Sequence, residues 1–147
     1  MGRVIPGGNR VGRLLALDLG TKRVGLAVTD PLKMIASPLS TLTVTSEERL
    51  LKQVLDLVGK MDIELVIIGY PLHQDGRVSP GCQHSRNFAL ALNRKGIQTV
   101  LWDERYSSLD AADLLREAGL TRKKATGKLD RIAASFILRD YLESQPS

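Results

Sequence analysis

The sequence predicts an α/β protein built on a mixed five-stranded sheet with helices on both faces. Three observations carry this. Short apolar runs recur along the chain, most of them closed by a glycine or an acid. The first three lie close together with no helical stretch between them, as in a meander of strands. The later two alternate with stretches of helical period, as in parallel strands joined by helical crossovers. In such sheets ligands bind beyond the strand ends.

Leu14 to Leu17 is an apolar run ending at Asp18, the mark of a buried strand, and Gly20 allows a tight turn after it. Val24 to Val28 reads as a second strand, in which Gly25 and Ala27 let another backbone approach closely. A third strand lies within Met34 to Val44, around Pro38. Thr45-x-x-Glu48 reads as a capping box opening a helix with Leu51, Val54, Leu55 and Val58 on one face, stopped by Gly59. Leu65 to Ile68 is a fourth strand, closed by Gly69-Tyr70-Pro71. After a polar loop, Pro80 suits the first turn of a helix carrying Phe88, Ala91 and Leu92 and ending before Gly96. Gln98 to Trp102 is the fifth strand. Ser107 or Ser108 caps a further helix ended by Gly119, and a last helix runs from about Asp130 to Leu142.

The 147 residues make one domain, large enough for a real core without staples. Residues 1–12 are read as a flexible basic arm and 13–147 as the domain. A single cysteine, Cys82, excludes an internal disulfide and a cysteine-based zinc site, so any metal must be a hard cation held by oxygen. No apolar run reaches membrane-span length and no signal-peptide core is present, so a cytoplasmic location with no membrane partner is expected. The net charge of +5 favours a polyanionic partner.

Three acids fall at element ends: Asp18 after the first strand, Glu104 after the fifth, and Asp130 at the start of the last helix. At 100° per residue Asp130 shares a face with Ala134, Ile137 and Tyr141, opposite the polar stripe of Arg131, Ser135, Arg139 and Glu143. It therefore points inward, where an unpartnered carboxylate costs several kcal/mol (~3–5) unless a cation or donors meet it.

The run from Leu17 to Pro31, LDLGTKRVGLAVTDP, resembles the opening signature of the YqgF family, the RuvX-type, Holliday-junction-resolvase-like proteins of bacteria. Three more blocks agree in order: Gly69-Tyr70-Pro71-Leu72 with Asp75-Gly76, then Asp103 to Ser108, then Asp130 to Ala134. The resemblance spans about residues 13–143. It implies a ribonuclease H-like fold and nuclease chemistry, chiefly maturation of the 5′ end of 16S precursor ribosomal RNA, with pre-ribosomal particles as partners. It places the catalytic and metal-binding acids at Asp18, Glu104 and Asp130. In most resolvase relatives the second acid follows the fourth strand, where this chain has Gly69-Tyr70; here Glu104 takes its role. Tyr106-Ser107-Ser108 stands where Leu-Thr-Thr is usual, with the hydroxyls retained.

Phosphodiester hydrolysis needs an activated water and a stabilised leaving oxygen, which a pair of hard cations, Mg²⁺ or Mn²⁺, about 4 Å apart can supply. Asp18 is expected to bridge them, with Glu104 and Asp130 on either side. Asp103 faces the other way on a continuing strand. Lys22, Arg23 and Arg105 are expected to meet phosphates near the acids. Arg122, Lys123, Lys124 and Lys128, with Arg131, form a basic approach to Asp130. Two other enzyme or binding classes fit parts of the sequence. Asp18-Leu19-Gly20-Thr21 alone also suits a sugar-kinase-like ATPase, which needs two such domains. The charge alone suits a non-catalytic ribosome-associated RNA-binding protein, which has no use for the acids. A nuclease directed at DNA junctions is the alternative substrate, and a homodimer is compatible with the sequence.

Overall fold

The computed structural model describes residues 12–73, 75–104 and 126–146. Five strands run β1 (Arg13–Leu19), β2 (Arg23–Thr29), β3 (Ala36–Thr43), β4 (Ile63–Tyr70) and β5 (Thr99–Asp103). The described helices are α1 (Glu47–Lys60), α2 (Pro80–Arg94) and α3 (Thr126–Ser144). The sheet order is β3-β2-β1-β4-β5. β1, β2 and β3 form the antiparallel meander, and β4 and β5 add in parallel to β1. This is the expected mixed sheet, with β1 at its centre.

Alternation along β1 divides the core in two. Leu15 and Leu17 face α1 and α2, packing with Val54, Val66, Ile68, Phe88 and Leu92. Leu14 and Ala16 face α3, packing with Ala27, Ile67, Ala134, Ile137 and Leu138. Asp18, next in the second series, therefore emerges on the α3 side at the carboxyl end of the central strand.

Several boundaries differ from the sequence expectation, each for a local reason. Ser46, not Thr45, caps α1: its Oγ accepts from the Arg49 amide at 3.1 Å. The capping-box spacing at Thr45 is therefore one residue out of register. Gly59 does not stop α1, which continues to Lys60. The chain turns at Asp62, whose φ of 54° takes the left-handed conformation expected of a terminating glycine. α3 begins at Thr126, so Asp130 sits past the first turn rather than at a cap. Gly12, assigned to the arm, is buried: a Cβ there would lie 2.8 Å from Glu64 Oε1. The rest of the arm and the helix expected after Ser107 lie outside the described residues. Cys82 is fully buried, as befits a packing thiol.

The three described helices present their amino ends at one edge of the sheet. α2 opens against the end of β4, where Ser79 Oγ donates to the Pro71 carbonyl at 2.6 Å. α3 starts beside β2 and β3, with Thr41 Oγ1 donating to the Gly127 carbonyl. α1 starts near α2, joined by His84 Nε2 and Glu47 Oε1 at 2.7 Å. The amino ends thus lie along one edge of the sheet, those of α1 and α2 on one face and that of α3 on the face that carries Asp18.

Candidate active site

Asp18 lies between two glycines. Across the antiparallel pair its partner is Gly25. On the other side Leu17 pairs with Ile68 in parallel, so one step further brings Asp18 level with Gly69. Facing residues on neighbouring strands point to the same side, so both glycines open space on the α3 side around this carboxylate.

Gly25 admits a helix backbone. A Cβ there would fall 1.9 Å from the Asp130 carbonyl oxygen and 2.8 Å from the Arg131 amide. Only a residue with no side chain lets α3 settle so close to β2, and that contact brings Asp130 beside Asp18. The expectation of close approach at Gly25 is met by the very helix that carries the third acid.

Gly69 admits a carboxylate. A Cβ there would lie 2.8 Å from Glu104 Oε2 and 2.9 Å from its Cδ. Glu104 follows β5 directly, and its side chain reaches back over β4 into the space that Gly69 leaves. Ser85 Oγ fixes the strand at this point from the opposite helix, donating to the Gly69 carbonyl at 2.8 Å. Sequence reading missed Ser85; the available signal was a lone small polar residue on the apolar face of α2.

The electrostatics follow from this crowding. Burial, and next the charge of Asp130, push the Asp18 carboxyl up from 3.8 to about 6. Burial, then the charges of Asp18 and Asp103, push Glu104 from 4.5 to about 8. Neither has a hydrogen bond or a cationic partner among the described residues. Two neighbouring carboxylates in this state require a cation or a proton. Asp130 differs: Arg23 Nε donates to its Oδ2 at 2.7 Å.

The three expected acids are thus neighbours in space, but Asp18 and Glu104 form the unpartnered pair while Asp130 is engaged. Among the described residues no three acidic, histidine or cysteine side chains are close enough together to hold one ion. Lys22 is exposed on the β1–β2 turn and Lys128 on the first turn of α3. Arg105, Arg122, Lys123 and Lys124 lie outside the described residues.

The profile of the RuvX family, described as Holliday junction resolvase, matches residues 12–144. The chain belongs to the RuvX family. Curated relatives agree along nearly the whole length. A Lachnospira eligens protein is 35% identical over 137 residues, covering 90% of this chain and 98% of its own. A Koribacter versatilis protein is 37% identical over 133 residues, covering 90% and 87%. Both are provisionally named pre-16S rRNA nucleases. In fold, this RuvX-family chain is similar to Thermus thermophilus RuvC, with a TM-score of 0.58 at 12% identity, covering 89% of this chain and 95% of that one. It is also similar to the fowlpox virus resolvase solved with Holliday junction DNA, with a TM-score of 0.53 at 15% identity, covering 90% and 97%. The sheet order and helix placement are those of the ribonuclease H-like fold that these resolvases share. No described helix of this RuvX-family chain is long and apolar enough to cross a membrane.

Proposed function

We propose that this RuvX-family chain is a nuclease that hydrolyses phosphodiester bonds in precursor 16S ribosomal RNA with the help of Mg²⁺ or Mn²⁺. The observation that carries the reading is the Asp18–Glu104 pair. Two adjoining carboxylates, both held above their ordinary range by burial and neighbouring charges, meet at the carboxyl end of the central strand, with Glu104 in the space above Gly69. All-oxygen donors of this kind suit a hard divalent cation. Asp18 and Glu104 would hold it, and Asp130 stands near enough to Asp18 to raise its carboxyl. The chemistry it would supply when bound is a more acidic water and a stabilised leaving oxygen. The names of the relatives support ribosomal RNA as the substrate.

The chain's own residues do the rest. Arg23 and Lys22, just beyond Asp18, orient the scissile phosphate by charge-assisted hydrogen bonds. The amino end of α3, on the same face as Asp18, favours the accumulating negative charge. Burial and the charge of Asp18 favour the protonated form of Glu104, which eases the repulsion between the two carboxyls. Asp103 adds to this effect. Arg105 is assigned with Arg23 and Lys22 to phosphate near the acids, and Arg122, Lys123, Lys124 and Lys128 to the flanking backbone.

The test uses purified protein with end-labelled precursor 16S RNA, single-stranded DNA and a four-way DNA junction, each with Mg²⁺, Mn²⁺ or chelator. Cleavage of the RNA that disappears in chelator is expected. Undiminished cleavage in EDTA overturns the cation, preferential cutting of the junction overturns the substrate, and no cleavage of any of the three overturns the nuclease.

A further inference from the structure

Arg23 makes the one ion pair described for any of the three acids, and it spends it on Asp130 (2.7 Å from Nε to Oδ2). The partners lie 107 residues apart in sequence and meet because Gly25 lets α3 rest on β2. Neither is sealed in: 39% of the Arg23 side chain and 27% of the Asp130 side chain face solvent. A pair this open can be exchanged at small cost. On the nuclease reading two further ligands come here, a cation drawn to the acids and a phosphate drawn to the guanidinium.

We infer that Arg23 is a positioning residue that exchanges partners: it holds Asp130 while the site is empty and passes to a backbone phosphate when nucleic acid arrives, freeing Asp130 for the cation. The reasoning is competition at one oxygen. A guanidinium and a divalent cation on the same carboxylate repel each other, so Arg23 on Asp130 weakens the cation site. A phosphate offers Arg23 an anion with more acceptors, in a geometry the guanidinium fork can grip twice. The same phosphate adds negative charge beside Asp18 and Glu104, which raises the demand for a cation just as Asp130 becomes available. Nucleic acid and cation therefore favour each other's binding, and the coupling is reciprocal. The inference rests on the nuclease reading for its ligands, but its own content is the route of the coupling through Arg23 and Asp130.

The experiment measures Mn²⁺ affinity by the electron paramagnetic resonance of free Mn²⁺, with and without a fluorescein-labelled single-stranded RNA carrying 2′-O-methyl linkages. RNA affinity is read in parallel by anisotropy, with and without Mn²⁺. The wild type should bind Mn²⁺ about tenfold more tightly when RNA is present, within the usual range of coupling between sites. Arg23→Gln should bind Mn²⁺ alone more tightly than wild type and lose most of the coupling, to within about twofold of none. Arg23→Lys, which keeps a charge able to exchange partners, should retain most of it. Asp130→Asn should also lose it, and adding Arg23→Gln to Asp130→Asn should change the coupling no further. If Arg23 only grips phosphate, Arg23→Gln lowers RNA affinity equally with and without Mn²⁺; the coupling then stands and the exchange is overturned. If the wild type binds RNA and Mn²⁺ with no coupling, the exchange fails while the nuclease reading survives. If wild type binds no RNA, both fail. Thermal melts of each variant confirm that a folded protein is compared.

Discussion

At the residue scale the site depends on two missing side chains that have opposite mechanical consequences. At Gly25 the obstacle to a Cβ is the backbone of α3, which cannot move without shifting the helix. Gly25→Ala should therefore destabilise the fold by about 1–3 kcal/mol or more and remove activity by displacing Asp130. At Gly69 the nearest obstacle is the end of a flexible glutamate. Gly69→Ala should melt within a few degrees of wild type yet lose most of its cleavage, because Glu104 must swing away. Melting temperature and turnover, measured together, separate the two. The acids carry a pH signature as well. Both folded values lie above the ordinary ones, so the ionised forms oppose folding. In chelator, the stability that protonation preserves is complete below about pH 4 and is lost as pH rises through about 6 and then 8. An Asp18→Asn, Glu104→Gln double variant has no such loss. Its melting temperature should rise relative to wild type between pH 4 and 8 and run parallel above that. A constant difference across this range would remove the strained pair from the account.

At the scale of elements, α1 tests how a helix start is read. Ser46 makes the capping hydrogen bond to the Arg49 amide. Ser46→Ala should cost about 1 kcal/mol, seen as a fall of roughly 3 °C in melting temperature, while Thr45→Ala leaves it nearly unchanged. Cleavage should be the same in both, since α1 packs on the opposite face from Asp18. The strands, the crossover helices and their order were legible because apolar period and turn chemistry are local. Asp18 and Glu104 were legible as acids at strand ends, and the inward face of Asp130 followed from helical period. What stayed hidden was the geometry between elements. The resemblance gives Glu104 the role placed at Gly69-Tyr70, but nothing local says that its carboxylate fills the glycine's space, that α3 is what Gly25 admits, or that Arg23 meets Asp130. The single-residue error at Thr45 has a simpler source: Thr45 and Ser46 are both good caps, and only the backbone selects between them.

At the scale of the whole molecule, a net charge of +5 sits on a fold that gathers three helix amino ends and Lys22 at one edge. Binding of single-stranded RNA should weaken steeply with salt. Lys22→Ala should reduce the slope of log affinity against log salt by about 0.7 if it neutralises one phosphate. Asp56, exposed on α1 away from that edge, gives the control: Asp56→Asn should leave slope and cleavage alone. An unchanged slope in Lys22→Ala would move the nucleic-acid path off the β1–β2 turn.

The space above Gly69 also bears on how such a protein can change over generations. Here the acid comes from the end of the fifth strand, and its carboxylate lies where a side chain at 69 would begin. A Cβ at 69 would already meet the Glu104 carboxylate at 2.8 Å and Ile137 at 3.1 Å. A chain with acids at both 69 and 104 would suffer contact and like charge together, and a chain with neither would lack half of its pair. Moving the acid from position 104 to position 69 should therefore need both changes, each single step being harmful. Suppressor genetics can reproduce the move. Gly69→Asp and Glu104→Ala should each abolish cleavage alone, and the double substitution should regain a measurable part of it.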